Sequence, residues 1–322
     1  MSLRPFVTTL AAAALLLAGS ALAAAKPDVR LYAMDCGKLT MANADGFSDD
    51  GAYKGVPASM IVPCYLIRHP KGDLVWDTGV PQSIADLPGG VGPGGVSVSR
   101  KLTDQLKDLG LTPADIEYIS VSHSHFDHIG NAGLFAASTW IVDPKEREFA
   151  FRAGARADAR GFAAYSALET AKTVLIEGDG PHDVFGDGSV TLHKTPGHTP
   201  GHTVLLVQLP KAGPVILTGD MWHIAESRAA RRVPRFNFNR ADTLASMDKI
   251  EALAKATKAR VILEHVPADF DALPKFPAAL RKAAAAAAVR SWANVPLIPS
   301  VEVLVISTKL SSRAGSTNQV WP

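Results

Sequence analysis

Apolar positions in this chain fall mostly in short runs of strand length, separated by turn-rich loops. In the first half the runs lie at 30–34, 60–68, 73–76 and 116–121, and in the second at 173–176, 189–193, 203–209, 215–218 and 260–263. Pro63 cannot donate to a ladder, so the run that contains it is expected at a sheet edge or a bulge. His69-Pro70-Lys71-Gly72 turns that run back onto 73–76, a hairpin that delivers Asp77-Thr78-Gly79 to a strand end. Residues 37–58 read as a loop, with Asn43, Asp45, Gly46, Asp49, Asp50 and Gly51 setting turns. Helical spacing is confined to fewer segments. Leu102, Leu106 and Leu109 share one helix face that Gly110 closes, and Thr112-Pro113 restarts the chain. Leu244, Met247, Ile250 and Leu253 mark the buried face of another helix. Residues 143–173 are alanine- and arginine-rich and helical in character, and 279–289 are strongly helical by composition. No internal repeat is legible. The alternation of strand and helix in two halves predicts an α/β fold.

The first 25 residues read as a targeting segment and are set aside from the fold. Arg4 supplies a positive start, 7–18 is an uncharged apolar run, and Ala21-Leu22-Ala23 is a small-x-small cleavage site, with Ala23-Ala24-Ala25 as an alternative. An uncleaved anchor is the competing reading, but the apolar run is short for a span of about 20 residues. The mature chain then starts at Ala24 or Lys26, in the periplasm or outside the cell. With 33 basic and 31 acidic side chains, charge alone argues for neither a nucleic-acid nor a membrane-surface partner. An exported chain with two cysteines, Cys36 and Cys64, can form one disulfide if their strands are neighbours; two buried free thiols are the other reading. The glycine-rich segment 89–95 lacks the Gly-Lys-Ser/Thr ending of a phosphate loop and reads as a connector. Arg228, Arg231, Arg232, Arg235 and Arg240, interleaved with Phe236 and Phe238, form either a solvated basic face or a recruiter of anionic substrate. Residues 289–322 end in a Ser/Asn-rich stretch with an apolar patch too short to span a bilayer.

The candidate chemistry lies at the end of the run 116–121. Ser122-His123-Ser124-His125-Phe126-Asp127-His128 puts three of the ten histidines within six residues, with an aspartate between them. Residues i and i+2 of a strand share a face, so His123 and His125 point two imidazoles into one opening. Imidazole and carboxylate are the donors a borderline-soft divalent ion prefers, zinc above all. A metal site is the chemistry this pattern supports.

His123-x-His125-x-Asp127-His128 resembles the signature of the metallo-β-lactamase superfamily. Thr195-Pro196-Gly197-His198, Leu217-Thr218-Gly219-Asp220 and Ile262-Leu263-Glu264-His265 follow in the family's order, and Asp77-Thr78-Gly79 resembles its early turn. The resemblance runs from about residue 31 to about residue 277 and is closest to N-acyl-homoserine lactonases. It implies a four-layer αββα sandwich over 26–288, with every ligand at a strand end, and a tail 289–322 outside it. It also implies two divalent ions, taken as zinc: His123, His125 and His198 on one, Asp127, His128 and His265 on the other, and Asp220 bridging. A hydroxide between the ions would open the lactone ring, a quorum-quenching reaction, with Asp127 orienting it and carrying its proton. The alternatives in the same fold are a β-lactamase or a broad ester or thioester hydrolase; a metal-binding scaffold without hydrolysis is a third reading. Asp220 favours the lactone, because zinc β-lactamases generally have cysteine or serine in that neighbourhood. One position departs from the pattern. Several lactonases carry a tyrosine three residues after the aspartate, where this chain has His223. His223 either donates a hydrogen bond to the developing oxyanion, binds the carbonyl without affecting turnover, or packs against Trp222. His202 rivals His198 as a ligand. Asp77 reads as a hydrogen-bonding partner of the metal loop, and His69, His182 and His193 as structural or surface residues.

Overall fold

The structure, a computed structural model, describes residues 26–281. The leader, the tail and most of the expected 279–289 helix lie outside the described residues. Each half of the chain builds one mixed sheet. The first contains β1 (Arg30–Met41), β2 (Ala58–His69), β3 (Gly72–Trp76), β4 (Val96–Ser97), β5 (Tyr118–Ser120), β6 (Thr139–Val142) and β7 (Thr173–Leu175), ordered β4-β1-β2-β3-β5-β6-β7. The second contains β8 (His182–Asp183), β9 (Val190–Lys194), β10 (Thr203–Leu209), β11 (Gly213–Leu217) and β12 (Arg260–Ile262), ordered β12-β11-β10-β9-β8. The helices are α1 (Leu102–Asp108), α2 (Phe126–Ile129), α3 (Pro144–Ala150), α4 (Ala153–Ala157), α5 (Ala159–Ala163), α6 (Ala225–Ala230), α7 (Arg240–Thr257) and α8 (Pro267–Asp271). None of the described helices is long and apolar enough to cross a membrane.

Side-chain alternation along the strands sorts the core into layers. In β2, Tyr65 and Ile67 face β10 residues Leu205 and Val207 and β11 residue Leu217 in the core between the sheets. Their neighbours Cys64 and Leu66 point the other way, onto α1 residues Leu102 and Leu106 and onto Trp140. In the second sheet Val204, Leu206 and Ile216 turn outward onto Met247, Ile250 and Ala254 of α7. The order helix, sheet, sheet, helix is the expected αββα sandwich, and central strands buried on both faces read as continuous apolar runs.

Parallel pairing sets the chemistry. β3 lies beside β5 with Trp76 opposite Ser120, so Asp77 and His123 leave the first sheet at the same end. β11 lies beside β12 with Leu217 opposite Ile262, which brings out Asp220 and His265 together.

Of the two places expected for Pro63 the structure gives the bulge, and two further expectations need correction. β2 is internal, between β1 and β3, so Pro63 is not on an edge; it lies opposite Asp35, where β1 slips register before Lys38. The partner strand carries the bulge that accommodates the missing N–H. β1 also continues to Met41, because Gly37 (φ 141) absorbs the slip where a Cβ would lie 2.5 Å from Val80 Cγ2, and Lys38 and Leu39 then pair with β4. Finally, 279–281 are not helical: Leu280 is buried and its N–H donates to Leu31 O at 2.8 Å. Edge pairing outweighs helix propensity there. Cys36 and Cys64, from the paired strands β1 and β2, form a disulfide. It backs the Asp77 turn, since a Cβ on Gly79 would lie 2.4 Å from Cys36 Cβ and 3.2 Å from Cys64 Sγ.

Candidate metal centre

Seven side chains from four strand-end loops converge in two groups. His123 and His125 follow β5, and α2 then carries Asp127 and His128 on its first turn. His198 lies between β9 and β10, Asp220 follows β11, and His265 follows β12. In the first group His125 Nδ1 lies 2.9 Å from His123 Nε2 and 3.0 Å from His198 Nε2. In the second, His128 Nε2 and His265 Nε2 are 3.3 Å apart, with Asp127 Oδ2 at 3.8 and 3.6 Å from them. Asp220 faces both groups. Its Oδ2 is 3.1 Å from His198 Nε2 and 3.4 Å from His123 Nε2, while Oδ1 is 3.0 Å from His128 Nε2 and 2.8 Å from His265 Nε2.

These spacings suit cations better than hydrogen bonds among the side chains themselves. Four nitrogen donors about 2.0–2.1 Å from one ion stand about 3.3 Å apart at a tetrahedron's edges. Asp220 Oδ1 is buried, and the His128 and His265 nitrogens beside it do not meet hydrogen-bond geometry with it. Burial holds His123 and His125 well below the usual imidazole range, which favours the neutral form that a metal ligand requires. Burial opposes charge on His265 too, but Asp220 and Asp127 outweigh it and push that ring up to about 9; the same competition, with Asp220 and Asp77, raises His128. Burial works against charge on Asp220 as well, yet the imidazoles around it hold its carboxyl well below the usual range. Histidines held protonated by a central carboxylate give up those protons when a divalent ion takes their place. The residues present fit two such ions.

A second layer fixes which nitrogen of each ring faces inward. Asp77 Oδ2 accepts from His128 Nδ1 at 2.8 Å, and Asp77 also accepts from the Ser122 N–H and hydroxyl at 2.6 and 2.8 Å. His265 Nδ1 donates to Ile61 O of β2 at 2.9 Å. Both rings therefore present Nε2 to the centre, the tautomer control typical of metal-bound histidines. His202 is not in either group. The Asp220 N–H donates to its Nε2 at 3.1 Å, and its Nδ1 is 2.9 Å from Thr195 Oγ1, so the ring joins the Asp220 loop to the loop that carries His198. Asp77 likewise acts as the expected hydrogen-bonding partner. His69 stacks on Phe185 and pairs with Asp187, which makes it structural.

His223 lies at the centre. Its Nε2 is 2.9 Å from Asp220 Oδ2, and its ring packs on Phe47 at 5.1 Å and Phe236 at 5.6 Å. Trp222, the alternative neighbour, is instead buried under α7 and Arg228. Phe236 is half exposed and also touches His125 and His198. The basic run is paired with carboxylates instead of being left free for an anionic substrate. Arg228 and Arg231 pair with Glu251 and Asp248 of α7, while Arg232, Arg235 and Arg240 pair with Asp50, Asp45 and Asp49.

Sequence reasoning did not single out three supporting residues. Glu264 is buried between Trp76 Nε1 at 3.1 Å and the Gly219 N–H at 2.9 Å, and burial with Asp77 nearby pushes its carboxyl up. Glu146 of α3 lies against both histidine loops. Phe47 sits in a turn-rich loop with no periodic signal. Glu264 had a sequence cue in its place beside His265; the other two had none.

Residues 60–262 match the Metallo-beta-lactamase superfamily. An N-acyl homoserine lactonase AttM of Azorhizobium caulinodans is 34% identical over 264 residues, 77% of this chain and 96% of its own length. Its counterpart from Agrobacterium fabrum is 34% identical over 263 residues, 77% of this chain and 98% of its own. The solved structure of an N-acyl homoserine lactone hydrolase, with the product N-hexanoyl-L-homoserine at its catalytic metal center, superposes with a TM-score of 0.65 at 27% identity. That superposition covers 78% of this chain and 98% of the other. By sequence, fold and the convergence of these donors, the chain belongs to the metallo-beta-lactamase superfamily, as a metal-dependent hydrolase.

Proposed function

We propose that this chain is a dinuclear hydrolase that opens the lactone ester of N-acyl-homoserine lactones. The observation that carries the proposal is the division of Asp220: one oxygen toward His123 and His198, the other toward His128 and His265. His123, His125 and His198 would hold one divalent ion, Asp127, His128 and His265 the other, with Asp220 facing both; imidazole and carboxylate donors favour zinc. Ions bound there would supply Lewis-acid polarisation of an ester carbonyl and would lower the pKa of a bound water to about 7. Asp127, at the edge of the second group, would orient the attacking water, take its proton and pass it to the leaving alkoxide. His223, whose Nε2 is 2.9 Å from Asp220 Oδ2, would donate a hydrogen bond to the developing oxyanion on turning from that carboxylate to the substrate. Phe236, half exposed against His125 and His223, gives the acyl chain an apolar surface. The lactonase relatives support this substrate class, as does a carboxylate at position 220. The leader and the Cys36–Cys64 bridge support export to an oxidising compartment.

The test joins metal to product. Purified protein should carry close to two divalent ions per chain and convert an N-acyl-homoserine lactone to a product heavier by one water. Chelation should abolish this and zinc should restore it, whereas His125→Ala should lose metal and activity together. A fully active, fully metallated His125→Ala protein would refute the site.

A further inference from the structure

We propose that Glu146 is the positioning residue that clamps the two histidine loops of the first donor group together, and so sets how tightly that group holds its ion. The inference rests on the metal reading above. Glu146, on α3, is 1% exposed. Its Oε1 accepts from the Ser124 N–H at 2.7 Å and the Ser124 hydroxyl at 2.6 Å. Its Oε2 accepts from the Thr199 hydroxyl at 2.6 Å and the Gly201 N–H at 3.1 Å. Ser124 separates His123 from His125, and Thr199 follows His198. One carboxylate thus ties a loop leaving the first sheet to a loop within the second.

Two features show a fitted joint rather than a chance contact. Gly201 meets the first turn of α3 so closely that a Cβ would lie 2.2 Å from the Glu146 nitrogen. The four partners are all donors, the set an ionised carboxylate matches and an amide does not. In Glu146→Gln the two hydroxyls can rotate to accept from the new NH2, but the backbone N–H facing it cannot. Either Ser124 N or Gly201 N is then left opposite a donor, and its loop shifts. The second donor group is supported separately, by Asp77 behind His128 and Ile61 O behind His265. Loss of the clamp therefore weakens one ion and spares the other.

The experiment follows release of both ions from loaded wild-type protein and variants to a coloured chelator, alongside visible spectra of the cobalt-loaded forms. Glu146→Gln should release one ion about 10- to 100-fold faster, the usual scale for supporting partners of metal ligands, with the other unchanged. Its cobalt bands should change intensity. Ser124→Ala and Thr199→Val should each give a smaller acceleration, and adding either to Glu146→Gln should add less than it does alone. If Glu146→Gln fails to fold, the two single variants decide the matter. Variants that release both ions at the wild-type rate overturn the inference alone. A wild type that holds no ions overturns the metal reading and the inference with it.

Discussion

Asp77 is held at φ 54, a left-handed backbone conformation that costs a non-glycine residue about 1–2 kcal/mol. Its carboxylate accepts three hydrogen bonds there, two from Ser122 and one from His128, and these hold the turn in place. Strain retained at such a turn serves to aim a ring. The His223 ring lies in an aromatic seat, against Phe47 and Phe236, that phenylalanine can fill. His223→Phe should keep both metals and lower kcat for a homoserine lactone by about 10²-fold, the scale for losing one oxyanion donor. Unchanged kcat in a fully metallated variant removes His223 from the mechanism.

At the scale of elements, the loop between β1 and β2 is a strap. Asp45, Asp49 and Asp50 pair with Arg235, Arg240 and Arg232, and Tyr53 OH meets Ser227 Oγ at 3.0 Å, which seats Phe47 on His223. Partly exposed pairs of this kind contribute about 0–1 kcal/mol each and weaken as salt rises. Steady-state kinetics on a long-chain lactone should therefore show KM rising with ionic strength while kcat holds. Asp49→Asn with Asp50→Asn should start at the high KM and lose the salt dependence. An equal salt response in both proteins would dismiss the strap. None of this was legible in the sequence, where the arginines and aspartates stand some 180–190 residues apart. Elements with a strong period were legible: β10 and α7 follow their apolar runs closely, and the ligand loops their histidine spacing. β6 and β8 are only four and two residues long, too short to show a period. Which face of each central strand looked inward could not be read either, because both faces are buried.

For the molecule as a whole, two sheets from two halves of the chain meet where His123, His125 and His128 face His198, Asp220 and His265. Neither half holds a complete donor set, so the centre exists only when the sandwich closes. The export proposal has its own test: mass spectrometry of periplasmic protein should find an N-terminus at Ala24 or Lys26, and intact Met1 in a soluble cytoplasmic fraction would contradict export. The central claim is that the closed centre opens a lactone. Its most direct test is kcat/KM of the metal-loaded protein on an N-acyl-homoserine lactone and on a β-lactam, measured side by side. The lactone should be favoured by about 10-fold or more, at least 1.4 kcal/mol of transition-state preference. Faster turnover of the β-lactam than of any lactone would contradict the account.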